Sequence, residues 1–146
     1  MKEHQSKAID LFYEGYNCSQ STFVAFADLL ECDPDEMARI SSSFGGGMGK
    51  MGEVCGALTG AFMAVGAKLG YDDPKDKLKK EKHYELIREV ADAFKAEKGS
   101  IYCRDLLKSN EVTPGETTRE PKKQCEHYVA YAAKLVDKVL SEHPFD

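Results

Sequence analysis

The sequence lacks a long hydrophobic run and a leader-like segment at its N-terminus. Its longest uncharged stretch, residues 54–67, has 14 residues, which suits a buried helix and falls short of a membrane span. The first residues include Glu3 and Asp10 without a continuous apolar run, so we expect no signal peptide. No lipidation motif is present either. These absences predict a cytoplasmic protein that does not bind membrane.

An excess of positive charge is also missing. The net charge is −5 and the isoelectric point is near 5.4, which disfavours nucleic acid and anionic lipid as partners. Apolar residues make up 42% of the chain and charged residues 31%, a balance typical of a globular protein with a real core. No linker, repeat or low-complexity tract divides the chain, so we expect a single domain over residues 1–146.

Patterns typical of β-strands are absent. Apolar and polar residues do not alternate, and helical periodicity runs through the chain, which predicts an all-α bundle of five or six helices. Asn17 and the pair Asp33–Pro34 are typical helix starts. We expect a central helix over about residues 53–69, a long helix over about 73–99 and a last helix over about 122–141.

Two of these helices have a clear set of apolar residues for an inner face. In the helix that follows Asp33, we expect Met37 and Ile40 to face the core. The predicted inner stripe of the long helix consists of Leu78, Tyr84, Ile87, Val90, Ala91 and Phe94. The polar segment 110–123 is expected to form a loop.

The five cysteines form no Cys-x-x-Cys or haem-attachment motif. Four of them, Cys18, Cys55, Cys103 and Cys125, fall at the starts of predicted helices, whereas Cys32 falls at a helix end. A helix N-terminus lowers the pKa of a thiol and stabilises the thiolate, which is the form that binds metal or attacks disulfides. Cysteine is also a common small apolar residue in helical cores. The residues alone leave these alternatives open.

The segment GKMGEVCGALTGA surrounds Cys55 with small residues, and Gly52, Gly56 and Gly60 recur at intervals of four. Such a ridge allows tight backbone packing, and the glycines at 45–49 could also form an anion-binding nest. A third use is to make room for a cluster and bring backbone N–H donors to sulfur. No Lys-Ser/Thr pair follows the loop, and no strand precedes it, which excludes a P-loop and a Rossmann turn.

The histidines and carboxylates add no catalytic set. His127 lies two residues after Cys125, so on a helix it points away from that thiol and is no base for it. No Ser-His-Asp arrangement and no paired-carboxylate spacing is present.

The segment FGGGMGKMGEVCGALTGAFMAVG, with Cys-Gly-Ala-x-x-Gly at residues 55–60, resembles the C_GCAxxG_C_C family of redox-active proteins. The resemblance covers nearly the whole chain and matches the four family cysteines to Cys18, Cys55, Cys103 and Cys125. Cys32 falls outside the family pattern. A similar cysteine arrangement is associated with the non-haem iron part of split-Soret-type cytochromes, which implies an iron–sulfur centre. No haem motif is present here.

Three functions follow from the resemblance and the residues together. In the first, the four family cysteines bind an iron–sulfur cluster or zinc, Gly52, Gly56 and Gly60 flank it, and a redox partner protein exchanges electrons with it. A homo-oligomer is compatible with this function. In the second, the protein is a thiol–disulfide oxidoreductase in which Cys55 attacks and another cysteine resolves. In the third, it is a non-catalytic helical interaction protein with structural cysteines.

Overall fold

The computed structural model describes residues 2–108 and 121–143. These residues form eight α-helices, which are α1 (Lys2–Glu14), α2 (Cys18–Val24), α3 (Ala27–Leu30), α4 (Pro34–Ser42), α5 (Gly56–Leu69), α6 (Lys77–Lys98), α7 (Cys103–Lys108) and α8 (Pro121–Glu142). No strand occurs in this part of the chain, so the prediction of an all-α fold is confirmed. None of the described helices is long and apolar enough to cross a membrane.

The predicted count of five or six helices is wrong for the described residues, which already contain eight. The chain turns at Ala25 and Phe26 and divides the expected second helix into α2 and α3, and the segment after Cys103 forms a true helix. The predicted loop at 110–123 falls largely outside the described residues, although α8 begins at Pro121.

Two helix starts are those that the sequence indicates. The side chain of Asn17 caps α2 by accepting from the amide of Gln20, whose own side chain accepts from the amide of Asn17. The side chain of Asp33 caps α4 by accepting from the amide of Glu36. Cys18 is therefore the first residue of a well-capped helix.

Two other helix starts differ from the prediction. The central helix α5 begins at Gly56 rather than near residue 53, and Cys55 is its N-cap residue. The long helix α6 begins at Lys77, because the side chain of Asp76 accepts from the amide of Lys79 and caps it there. Asp73 instead lies in the turn before the helix.

The predicted inner faces are partly wrong. Ile40 on α4 is 60% exposed, and Leu78 on α6 is 69% exposed. The buried positions of α6 are Leu86, Val90 and Phe94, which are spaced four residues apart and form one stripe. Leu78 precedes this stripe by two turns and lies in the exposed first turn of the helix. Tyr84, which was also expected inside, is exposed.

Helix α5 lies at the centre of the fold and packs against α2, α6 and α8. It is lined with small residues because its neighbours come very close. A Cβ atom at Gly60 would lie 2.6 Å from the carbonyl oxygen of Ser19 on α2. The close contact of α2 and α5 is therefore possible only without a side chain at this position. The buried apolar residues of the described chain join in one cluster, and the single-domain boundary at 1–146 stays a prediction.

A cavity lined by four thiols

One cavity of about 220 Å³ is lined by all four cysteines that the sequence groups together. They come from four separate segments: Cys18 begins α2, Cys55 caps α5, Cys103 begins α7, and Cys125 lies in the second turn of α8. Most of the other lining residues are apolar or glycine, and no His, Asp, Glu, Lys or Arg among the described residues lines the cavity. The chemistry of this cavity is therefore sulfur chemistry.

A short antiparallel contact holds two of the thiols. Val54 and Tyr102 form an isolated β-bridge, and the amide of Cys55 donates to the carbonyl oxygen of Ile101 at 2.7 Å. On the other side of the bridge, the amide of Cys103 donates to the carbonyl oxygen of Glu53 at 2.6 Å. Successive side chains along an extended segment point to opposite faces, so Cys55 and Cys103 lie on the face opposite to Val54 and Tyr102. The bridge thus aims both thiols to one side.

Cys125 is tied to the same region through its neighbours on α8. The side-chain amide nitrogen of Gln124 donates to the carbonyl oxygen of Leu106 at 2.6 Å and is also hydrogen-bonded to the hydroxyl of Tyr128. That hydroxyl in turn donates to the carbonyl oxygen of Leu106 at 3.3 Å. Since Leu106 lies one turn after Cys103, these bonds fasten the start of α8 to α7 and bring Cys125 beside Cys103.

Glycines line the cavity where the backbone comes closest to sulfur. Gly47 has a positive φ of 70°, and a Cβ there would lie 2.6 Å from the Cβ of Cys103. A Cβ at Gly56 would lie 3.3 Å from the Cβ of Cys18 and 3.0 Å from the carbonyl oxygen of Phe44. Side chains at these two positions would fill the space beside the thiols.

The three glycines at intervals of four, Gly52, Gly56 and Gly60, lie in different surroundings. Gly56 lines the cavity, whereas Gly52 and Gly60 do not. Gly60 allows α2 to pack closely against α5, as described above. Gly52 has a positive φ of 73° in the loop before the bridge. Sequence reasoning did not single out Gly47 from the glycines around it. The density of glycine in residues 45–49 was a signal, but it could not show which glycine faces a thiol.

The expected lowering of the thiol pKa does not occur at Cys18, Cys55 or Cys103. Burial raises the pKa of Cys55 to about 12, although the backbone amides of Leu58 and Ala57 oppose this shift. The pKa of Cys18 lies well above its ordinary value, because its thiol interacts with the thiol of Cys125 and because it is buried. Burial and the nearby Cys125 also raise the pKa of Cys103. Desolvation and neighbouring thiols thus outweigh the helix N-termini.

All five cysteines lie in the described residues, and none is joined in a disulfide. In the described part of the chain, no group of three or more His, Cys, Asp or Glu side chains has an arrangement that could hold a metal ion. The four thiols therefore share a cavity without forming a closed ligand set.

Cys32 and His127 lie apart from this cavity. Cys32 is exposed at the end of α3 and donates its thiol hydrogen to the carbonyl oxygen of Leu30 at 3.4 Å. His127 is exposed on α8 and does not line the cavity.

A helical fold with four thiols around one apolar cavity is the kind of arrangement that a cysteine-based redox protein needs. Residues 16–139 match the model of the family described as "Putative redox-active protein (C_GCAxxG_C_C)". This match spans most of the chain, and the protein belongs to that family. An "Uncharacterized protein" of Archaeoglobus fulgidus is 27% identical over 143 residues, which cover 93% of this chain and 92% of that protein. No solved structure matches the chain.

Proposed function

We propose that the protein is a redox protein that binds an iron–sulfur cluster through Cys18, Cys55, Cys103 and Cys125, with zinc in the same four-cysteine site as the alternative occupant. The observation that supports this proposal is the meeting of four thiols from four separate segments at one cavity. The bound cluster would supply a one-electron couple, and a redox partner protein would exchange the electron.

The donor set fits such an occupant in its chemistry. Thiolates select thiophilic centres such as zinc and iron–sulfur clusters, whereas hard cations prefer oxygen ligands. No carboxylate among the described residues lines the cavity, so Mg²⁺ and Ca²⁺ are not suited to it. Gly47 and Gly56 leave free the space beside the Cys103 and Cys18 side chains.

The residues of this chain have three tasks in that function. The raised pKa values keep Cys18, Cys55 and Cys103 protonated in the free protein at neutral pH, so these thiols would lose their protons on binding. Apolar side chains such as Phe12 and Leu106 line the cavity and limit the access of water to the sulfur atoms. The backbone amides of Leu58 and Ala57 stabilise negative charge on the Cys55 sulfur.

The structure does not favour Cys55 as the attacking thiol of an oxidoreductase. Cys55 is 4% exposed, and with a pKa of about 12 it is almost wholly protonated at neutral pH. The disulfide function that relies on attack by Cys55 is therefore the weaker candidate.

The test is purification without oxygen, followed by visible absorption spectroscopy and analysis of iron, acid-labile sulfide and zinc. We expect charge-transfer bands with iron and sulfide, which Cys18→Ser, Cys55→Ser, Cys103→Ser and Cys125→Ser each diminish. The matched control is Cys32→Ser, which should keep the full metal content. A colourless protein that also takes up neither iron with sulfide nor zinc after reduction would contradict the proposal.

A further inference from the structure

The chain distributes its charge unevenly. Residues 1–40 contain eight Asp or Glu and three Lys or Arg, whereas the rest of the chain contains 17 of each kind. The net charge of −5 therefore arises in the segment that forms α1, α2, α3 and most of α4. The opposite excess occurs at residues 75–82, where five lysines and two carboxylates surround the start of α6. Two separate segments thus carry opposite charge.

The acidic segment contains a groove of about 540 Å³, which is lined by α1, the end of α2, α3 and the start of α4 and is called here the α1–α3 groove. Its apolar lining includes Leu11, Val24 and Ala27, which are only partly buried. The exposed side chains of Asp10 and Glu14 also line it. In the described part of the chain, neither of these carboxylates forms an ion pair.

The positive charge in this groove is already neutralised. Lys7 is the only basic side chain among the described residues that lines it, and its ammonium nitrogen lies 3.2 Å from a carboxylate oxygen of Asp28. The carboxylates of Asp10 and Glu14 therefore leave the α1–α3 groove with an excess of negative charge beside apolar surface.

The start of α6 has the complementary properties. Leu78 in its first turn is 69% exposed, although it is a large apolar residue. Its sequence neighbours Lys77 and Lys79 are both exposed, and neither forms an ion pair with a described residue. The carboxylate of Asp76 accepts from the amide of Lys79 and caps the helix. An exposed leucine thus lies between unpaired positive charges.

We infer that the start of α6 in one copy of the chain docks into the α1–α3 groove of a second copy. Leu78 would enter the apolar part of the groove, and Lys77 and Lys79 would approach Asp10 and Glu14 of the other copy. Burial of the leucine would supply affinity, and the charges would fix the orientation of the two copies.

Within one copy, Leu78 has different surroundings. It borders a hollow together with Leu69 and Leu86, and this hollow shares no lining residue with the α1–α3 groove. Each copy therefore offers both surfaces to its neighbours. Two copies related by a two-fold axis would make the contact twice, and any other arrangement would add further copies.

This inference goes beyond the proposed function, because none of the four cavity thiols takes part in the contact. It can therefore be tested whether or not metal is bound. Attraction between exposed charges is screened by salt, so we expect the association to weaken as the ionic strength rises.

The experiment is sedimentation velocity of the full chain over a range of concentrations up to about 1 mM. A reductant is present throughout, so that the exposed thiol of Cys32 cannot link two copies. We expect the average mass to exceed that of the monomer and to rise with concentration in about 0.05 M NaCl, and to fall towards the monomer in about 0.5 M NaCl.

Two charge-reversed double variants test the contact from its two sides. One carries Asp10→Lys with Glu14→Lys, and the other carries Lys77→Glu with Lys79→Glu. Lysine near the end of α1 and glutamate in the first turn of α6 both suit the helix dipole, so the fold should persist, which circular dichroism checks. Each variant alone should associate about tenfold more weakly than the wild type.

An equal mixture of the two variants should associate again. In the mixture, the basic groove of one variant meets the acidic helix start of the other, and the unchanged surfaces of the two variants also match. A surface that plays no part in the contact cannot produce this recovery.

The matched control is Lys50→Glu with Lys95→Glu, which has the same net charge as the double variant of Lys77 and Lys79. Both lysines are exposed and line neither the groove nor the hollow beside α6. The control should associate several-fold more strongly than its counterpart. Leu78→Ser should weaken the association without any change in charge.

Three results would overturn the inference. The first is a wild-type protein that stays monomeric at every concentration in low salt. The second is association that both charge-reversed variants retain, and the third is a mixture that fails to recover. Metal content is measured on the same samples and should be equal in the associating and monomeric proteins. Loss of the metal proposal would therefore leave this contact standing, and the reverse also holds.

Discussion

The amide of Cys55 and the carbonyl oxygen of Ile101 are joined by a hydrogen bond of 2.7 Å, which holds the N-cap residue of the central helix against the segment before α7. Together with the bond from Cys103 to Glu53, it gives Cys55 and Cys103 a fixed relative position. Two thiols that are far apart in the sequence are thus held by backbone hydrogen bonds, before any metal or disulfide joins them.

Gly56→Ala should destabilise the protein and disturb the site. The added Cβ would lie 3.0 Å from the Phe44 carbonyl oxygen and 3.2 Å from the Ser19 amide nitrogen, and backbone atoms cannot move aside cheaply. We expect a loss of about 1–3 kcal/mol in the free energy of unfolding, as is typical of overpacking. Chemical denaturation measures this loss, and metal analysis should show lower loading.

The matched control is Gly66→Ala on the same helix. Its added Cβ would meet only the side chain of His83, at 3.9 Å. The higher helix propensity of alanine should stabilise the protein by up to about 1 kcal/mol, with metal content unchanged. If Gly56→Ala were equally stabilising and kept its metal, close approach to the thiols would not be the reason for the glycine.

Gly47→Ala and Gly49→Ala form a second pair that separates backbone strain from crowding at the site. Both glycines have left-handed backbones, with φ of 70° and 60°. Alanine should therefore cost about 1–2 kcal/mol at either position. At Gly49 the new Cβ would meet nothing within 4 Å, whereas at Gly47 it would lie 2.6 Å from the Cβ of Cys103 and 2.7 Å from the amide nitrogen of Glu53.

We expect Gly47→Ala to be the more destabilising of the two by about 1–3 kcal/mol and to lower the metal content. Gly49→Ala should keep its metal. Equal unfolding free energies and equal metal contents for the two variants would show that Gly47 serves only the turn.

Cys32→Ser should change neither stability nor chemistry. Cys32 is exposed and lies apart from the four-thiol cavity, and a serine hydroxyl can replace the hydrogen bond that its thiol donates to the Leu30 carbonyl oxygen. We expect an unfolding free energy within about 0.5 kcal/mol of the wild-type value. A loss of bound metal would mean that the assignment of the four ligands is wrong.

Alkaline pH should destabilise the metal-free, reduced protein. The folded-state pKa of Cys55 is about 12, above its ordinary value of 9.0, so the folded chain keeps a proton that the unfolded chain loses. Stability from this group is complete below pH 9 and is lost as the pH rises from 9 towards 12. A rise in this pKa from 9.0 to about 12 corresponds to at most about 4 kcal/mol in the free energy of unfolding.

Unfolding free energies between pH 8 and pH 11 measure this effect. Cys55→Ala should show a smaller decrease over the same range, since it lacks the titrating thiol, although Cys18 and Cys103 contribute in the same direction. An identical decrease in the variant and the wild type would rule out Cys55 as a source of the pH dependence.

Features that depend on neighbouring residues could be predicted from the sequence. The caps at Asn17 and Asp33 are local, because a side chain bonds to an amide three residues away, and both occur as expected. The grouping of the four cysteines also followed from the sequence, through their positions at helix starts and the family resemblance.

The rest depends on contacts between distant segments. The bridge between Val54 and Tyr102 is a single residue pair, too short for the alternation that reveals a strand. The raised pKa values could not be foreseen either, because they arise from burial and from neighbouring thiols, which only the folded chain brings together. A helix start supplies only a local dipole, and desolvation has the larger effect on the buried thiol of Cys55.

The origin of the thiols in four segments also determines when the site can form. Cys18 lies near the beginning of the chain, and Cys125 follows most of it, so the cavity closes only after α8 has docked against α2 and α5. Contacts between such distant residues form late, since long loops must close first. A metal centre in this cavity would therefore enter a chain that is already synthesised and largely folded, and it would stabilise the final assembly rather than start it.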